Sequence, residues 1–373
     1  MASRDDPIFV TRPFLPPLSE LVTYLEEIWA TRIVTNNGPF HERLQRELEA
    51  FLEVPHVSLV ANGMLALETA LETASLAGEV ITTPYSFVAT SHAVARRQLT
   101  PVFVDIRSKD LNIDPALVEA AINNRTSAIV AVHCYGNPCD VTALDEIARR
   151  HGLKLIYDAA HAFAVRHCGR SLVSWGDYAT LSFHGTKMFN TFEGGAVITR
   201  TDRSEEAVKL NRNFGITSEV TVPVIGTNAK MSEFNAALGL LQLKHLDDAI
   251  RARRMIDERY RLAFRDIPGI VPLAVAETTE ANYSYFPVLV TEEYPLSRDE
   301  LYDSLKTDNV FSRRYFFPLL SHLPMYKELP SSNATNLPIA NRAADQILCL
   351  PIYPDLSEQS QFRVIDHIRK KAK

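Results

Sequence analysis

The sequence predicts an α/β fold, a mixed and mostly parallel sheet flanked by helices over residues 1–250, with a smaller C-terminal α+β domain over 251–373. Three observations carry this. Helical and strand patterns alternate from about 40 to 200, the mark of repeated strand–helix units. Within that span Ser127 to Cys134 is an almost unbroken apolar run, as expected of a strand covered on both faces. Past about 235 the pattern changes to one long helical stretch and then to strands mixed with short helices.

Taken in order, Phe40 to Phe51 reads as an amphipathic helix with Phe40, Leu44, Leu48 and Phe51 on one face. Asn62-Gly63 opens a helix from Met64 to Thr73. A short strand, Glu79 to Thr82, leads to a turn at Pro84, and Ser86 to Arg97 is helical. Pro101 to Asp105 is a strand, and Pro115 to Asn123 is a helix with proline in its first turn. Thr142 and Asp145 have the spacing of a capping box for a helix that stops near His151-Gly152. Lys154 to Tyr157 is a strand running into Asp158, and Tyr178 to Phe183 is a further apolar run. Glu233 to about Phe264 reads as one long helical stretch with room for a kink, ended by Pro268. Beyond it lie a strand, Tyr285 to Val290, and helices at Ser297 to Thr307 and Asn341 to Ile347.

Composition narrows the function classes. Apolar content of 46% and charged content of 23% are ordinary for a soluble globular protein. A formal charge of −6 argues against nucleic acid as a partner, which would call for a basic domain or stripe. No apolar run approaches the roughly 18 residues of a membrane span. Met1 to Pro7 has no apolar stretch of signal-peptide type, so a cytoplasmic protein is expected. The four cysteines, Cys134, Cys139, Cys168 and Cys349, form no C-x-x-C pair and are read as reduced thiols. His133, Cys134 and Cys139 are read as a strand end and a loop, without metal. His133 and His184 are read as packed residues without a role.

The chemistry is concentrated at two strand ends. Asp158 closes one strand and is followed by Ala159, Ala160 and His161; Ser182-Phe183-His184-Gly185-Thr186-Lys187 closes a later one, with Glu193-Gly194-Gly195 just beyond. In parallel α/β sheets, ligands bind beyond the carboxyl ends of the strands, so both signals converge on one crevice. An acid and a lysine placed in this way suit pyridoxal 5′-phosphate (PLP). The lysine amine forms a Schiff base with the cofactor aldehyde, and the acid keeps the pyridine nitrogen protonated. The serine suits the cofactor phosphate.

The chain resembles the DegT-type family of PLP-dependent nucleotide-sugar aminotransferases, of aspartate-aminotransferase-like fold (fold type I). The resemblance runs over nearly the whole length. It rests on Thr35 with Gly38, Pro39 and Leu44; Asn62-Gly63 with Ala66-Leu67; Thr83-Pro84 through Phe87 to Thr90; and Pro101 to Asp105. It continues through Asp158 to His161, Ser182 to Lys187, Gly226 with Asn228 and Met231, Asn235 to Gly239, and Leu350 to Pro354. It implies that Lys187 carries the cofactor and shuttles the proton, that Asp158 pairs with the pyridinium, and that Phe87 stacks on the ring. His161 would stand near the ring's phenolic oxygen. Ser182 and the backbone near Gly63 and Met64 would hold the phosphate. Asn228 would reach the phosphate from a partner subunit, making a homodimer with shared active sites. Many relatives have Thr where this chain has Met64, and often Arg where it has Lys230, which lacks the bidentate fork of Arg.

The expected substrates are an amino-acid donor, L-glutamate, and a nucleotide-linked keto-sugar. The Arg313-Arg314-Tyr315 run is similar to that of relatives acting on dTDP-4-keto-6-deoxy-D-glucose, which points to C4 amination for surface polysaccharide, as in lipopolysaccharide O-antigen. That run either contacts sugar and pyrophosphate, together with Lys230, or is a strand edge with solvated arginines. The alternatives are amination at C3, a PLP-dependent sugar dehydratase, against which Lys187 argues, and a sensor without catalysis.

Overall fold

The computed structural model describes residues 6–372; Met1 to Asp5, part of the stretch read above for a leader, lie outside the described residues. A seven-stranded sheet forms the centre, in the order His56–Val60, Gly195–Thr199, Tyr178–Ser182, Lys154–Asp158, Thr126–Val132, Glu79–Thr82, Thr100–Phe103. Every pairing is parallel except those of Gly195–Thr199, which runs antiparallel to both neighbours.

The unbroken apolar strand is explained by where its residues go. Ile129 and Ala131 enter one core with Leu44, Leu48, Leu155 and Phe183. Ala128 and Val130 enter another on the opposite face, with Ala66, Leu67, Ile156 and Val197. Side chains alternate across a strand, so a sheet covered on both faces needs apolar residues at every position. A third core joins Tyr260, Phe264, Phe286, Val288, Leu348 and Ile365, and it takes in Ile8 from the N-terminal segment. Ile8–Phe9 pairs in parallel with Val310–Phe311.

Several local expectations are corrected. The buried face of the Pro39–Leu52 helix is Phe40, Leu44, Leu48 and Leu52, whereas Phe51 stays 40% exposed. Phe51 sits in the last turn of the helix, where its ring stacks on Phe163 with centroids 5.8 Å apart and leaves its other side to solvent. The helix at Val141–His151 is capped by Asp140, whose carboxylate accepts from the Ala143 amide, and not by Thr142 with Asp145. The long stretch from Glu233 is two helices, Glu233–Lys244 and Leu246–Phe264. They break at His245, which leaves the helical region at ψ 7° while its ring is held 3.1 Å from Glu20. The second helix stops four residues short of Pro268.

Candidate active site

The carboxyl ends of the parallel strands border a cavity of about 490 Å³. Its floor is Asp158, Thr180 and Ser182; Asn62, Gly63 and Met64 line one side; Phe87 and His161 line others. Lys187 reaches it from a hairpin loop. That loop is closed where the Phe183 amide donates to the Gly194 carbonyl at 2.8 Å and the Thr191 amide donates to the Phe183 carbonyl at 2.9 Å.

Asp158 is 6% exposed. Burial pushes its pKa up, opposed by the Thr90 hydroxyl at 2.7 Å, the Ala160 amide at 3.2 Å and the charge of Lys187. A carboxylate has about four acceptor sites, so these two donors leave capacity for a cationic N–H in the cavity. Lys187 is pulled down to about 8 by burial, with Asp158 acting in the opposite sense. Its amine stands 3.4 Å from the Tyr285 hydroxyl. Burial, then Lys187, keeps His161 neutral by lowering its pKa well below the ordinary value. His161 Nδ1 accepts the Tyr135 amide at 3.2 Å, so the ring proton sits on Nε2 and His161 is a donor there.

The helix Gly63–Thr73 opens onto the cavity. Asn62 caps it by accepting the Leu65 amide at 2.9 Å, and the amides of Gly63 and Met64 have no acceptor within the helix. A Cβ on Gly63 would stand 2.7 Å from the Ser182 Cβ, so only glycine lets helix and serine close on the same point. An anion fits there, a cationic ring nitrogen fits at Asp158, and an aldehyde fits within reach of Lys187. The donor set therefore suits PLP.

The structure brings Lys187, Asp158, His161, Ser182, Gly63, Met64, Phe87 and Tyr315 to one cavity. It leaves Asn228, Lys230, Arg313 and Arg314 outside that lining. Lys230 donates to the Asn228 amide oxygen at 2.9 Å and lies 4.7 Å from the Phe214 ring centre. Arg314 is tied to Asp299 at 2.8 Å and stacked on Tyr302. Sequence reasoning missed Thr90, Tyr285, Phe316 and His184. Thr90 could have been found as a hydroxyl four residues after Ser86, on the same face of the helix that follows Phe87. His184, read as packed, is exposed and borders the cavity. Among the described residues no three His, Cys, Asp or Glu side chains gather as a metal site, and no helix is long and apolar enough to cross a membrane.

A lysine and an acid at the carboxyl ends of a covered sheet, beside a helix that opens on an anion cradle, define an aminotransferase of the PLP type. Residues 18–369 match the DegT/DnrJ/EryC1/StrS aminotransferase family, and the chain belongs to that family. Its cofactor is pyridoxal 5′-phosphate. The chain is 49% identical to the dTDP-4-amino-4,6-dideoxy-D-glucose transaminase of Escherichia coli, over 95% of this chain and 96% of that one. It is 47% identical to the transaminase of the same name from Shigella dysenteriae, over 98% and 99%. The solved structure of DesI in the presence of its TDP-sugar product superposes with a TM-score of 0.94 at 35% identity, covering 99% of this chain and 93% of that one. The expected fold type is thereby established.

Proposed function

We propose that the enzyme transfers an amino group from an amino acid, L-glutamate, to C4 of dTDP-4-keto-6-deoxy-D-glucose. The product would be dTDP-4-amino-4,6-dideoxy-D-glucose, destined for surface polysaccharide such as lipopolysaccharide O-antigen. One observation carries this reading: a lysine, an acid and an anion cradle share one cavity in a chain about half identical, over nearly its full length, to transaminases named for that amino sugar. Relatives named as transaminases do not favour the dehydratase alternative, and the intact site does not favour a sensor.

When bound, PLP supplies an aldehyde that accepts the amine and a ring that takes up the electron pair left behind when the carbon loses its proton. Lys187 Nζ would hold the cofactor and move that proton; with the free amine's pKa pulled down to about 8, a usable fraction is neutral near neutral pH. Asp158 would meet the pyridine nitrogen, Phe87 would cover the ring, and His161 Nε2 would donate to the phenolic oxygen. Ser182 with the amides of Gly63 and Met64 would receive the phosphate. Tyr315 borders the cavity and would meet the sugar, and Lys230 or Arg313 would meet the pyrophosphate; Arg314 is engaged by Asp299 and is the weaker candidate.

The working form in this reading is a cytoplasmic homodimer in which Asn228 completes the phosphate site of the other subunit. The exposed apolar run Phe214, Ile216, Val220, Val222, Val224 and Ile225 beside Asn228 supports it. The proposed division into 1–250 and 251–373 is supported by a change of core within the helix Leu246–Phe264, although Ile8 joins the C-terminal core and a further core links Tyr85, Phe103 and Tyr135 to Leu319, Ile347 and Cys349. The test is incubation of the holoenzyme with L-glutamate and a panel of dTDP-, UDP- and GDP-linked keto-sugars, with products identified by NMR. Amination at C4 of the dTDP sugar is expected. Preferred amination at C3, or preference for another nucleotide, would overturn the substrate assignment.

A further inference from the structure

Asp158 is not held by the sheet alone. Its Oδ2 receives the Thr90 hydroxyl at 2.7 Å, and Thr90 Oγ1 is 2.8 Å from Ser86 Oγ. Thr90 is fully buried, Ser86 is 3% exposed, and Ser86 also borders the cavity. The direction of this chain follows from donor counting. A hydroxyl has one proton, and an ionised carboxylate only accepts. Thr90 therefore spends its proton on Asp158, and the contact with Ser86 requires that Ser86 donate to Thr90. Both hydroxyls then point their positive ends toward the carboxylate, and hydrogen bonds aligned in this way polarise one another. Both residues sit on the segment that carries Phe87, at the start of the helix Val88–Arg96. Thr90 lies four residues after Ser86 and three after Phe87, so one helical turn sets Phe87 at the cavity and Thr90 against the acid.

We propose that Ser86 and Thr90 are positioning residues that hold Asp158 as an oriented anion toward the ring nitrogen of the cofactor, and so set the enzyme's preference for a ring that carries that nitrogen. Burial works against the charge on Asp158, and the Thr90 hydroxyl is the strongest influence in its favour. Thr90 does not line the cavity, so its effect passes through the carboxylate. The inference rests on the reading of Asp158 given above and deepens it.

The experiment compares cofactor affinity, not turnover. Apoenzyme is titrated with PLP and with its 1-deaza analogue, in which carbon replaces the pyridine nitrogen, and the dissociation constants are read from absorbance. Wild type should prefer PLP. Thr90→Val, which keeps the shape and removes the hydroxyl, should bind PLP about tenfold or more weakly, as expected for a lost hydrogen bond to a charge, and bind the deaza analogue as wild type does. Thr90→Ser should restore most of the preference. Ser86→Ala, which removes only the outer hydroxyl, should show the same selective loss at smaller size, and it decides the matter if Thr90→Val does not fold. Equal weakening of both ligands would reduce Thr90 to packing and overturn the proposal, as would an unchanged preference in Thr90→Val and Ser86→Ala. A wild type indifferent to the ring nitrogen would instead overturn the reading of Asp158 and the relay with it.

Discussion

Asp158 and Lys187 sit where a covered sheet ends, whereas Asn228 and Lys230 sit on a segment whose neighbours Val220 and Ile225 are each 91% exposed. In the first region each polar group is fixed by its own chain. Asp158 has Thr90 and Ala160, and the loop of Lys187 is clamped by Phe183, Thr191 and Gly194. In the second region Asn228 holds only Lys230 among the described side chains, and neither borders the cavity. The difference separates what one subunit can build from what a pair would have to build.

The largest expected effect tests the first region. Lys187→Ala should remove steady-state transamination, a loss beyond the 10²–10⁴-fold typical of a general base, because one amine holds the cofactor and moves the proton. Near-normal turnover would end the assignment. Next, Asp158→Asn should still bind PLP but slow the half-reaction with glutamate about 10- to 100-fold, the rate equivalent of a lost hydrogen bond between charged groups. Stopped-flow spectra at wild-type rates would contradict it.

The third prediction moves to the exposed segment. Asn228→Ala alone should loosen PLP, and mixing it with Lys187→Ala should partly restore activity, since hybrid dimers would contain one site with neither lesion. No recovery despite demonstrated subunit exchange, or full activity as a monomer in sedimentation, would break the comparison at its root. The smallest effect is a pH shift. Trapping of the Lys187 amine of apoenzyme by an aldehyde and borohydride should rise with pH through a midpoint near 8, not near 10.5, because burial disfavours the ammonium. Asp158→Asn removes the anion that favours the ammonium, so the midpoint should fall further; a rise would reverse the sign of that coupling.

The same contrast explains what was legible in the sequence. Asp158 and Ser182 follow strands whose apolar runs can be read directly, and the crevice beyond such ends is a consequence of parallel topology. Thr90 and Tyr285 were not legible as site residues. Thr90 acts through a contact across 68 residues, and Tyr285 arrives from the segment just before the strand Phe286–Val290 of a separate sheet. The kink allowed for in the stretch from Glu233 to Phe264 could not be placed at His245, because the apolar pattern runs through it; there the ring meets Glu20. For Asn228 and Lys230, the surroundings that would assign them are not in one chain's sequence pattern at all.

The hairpin that carries Lys187 also sets a rule about length. Both its legs are rungs of the central sheet, Ser182 opposite Gly195, so the number of residues between them acts as a fixed tether. Adding one residue there would leave the sheet its pairing and move the amine by up to about 3.5 Å, the reach of one extended residue and more than a bond-forming distance tolerates. The turn Ser218–Thr221 is anchored to no strand of that sheet, and the same insertion there would cost its own chain little. Within one subunit, chain length more than residue type is fixed in the first region and left unfixed in the second.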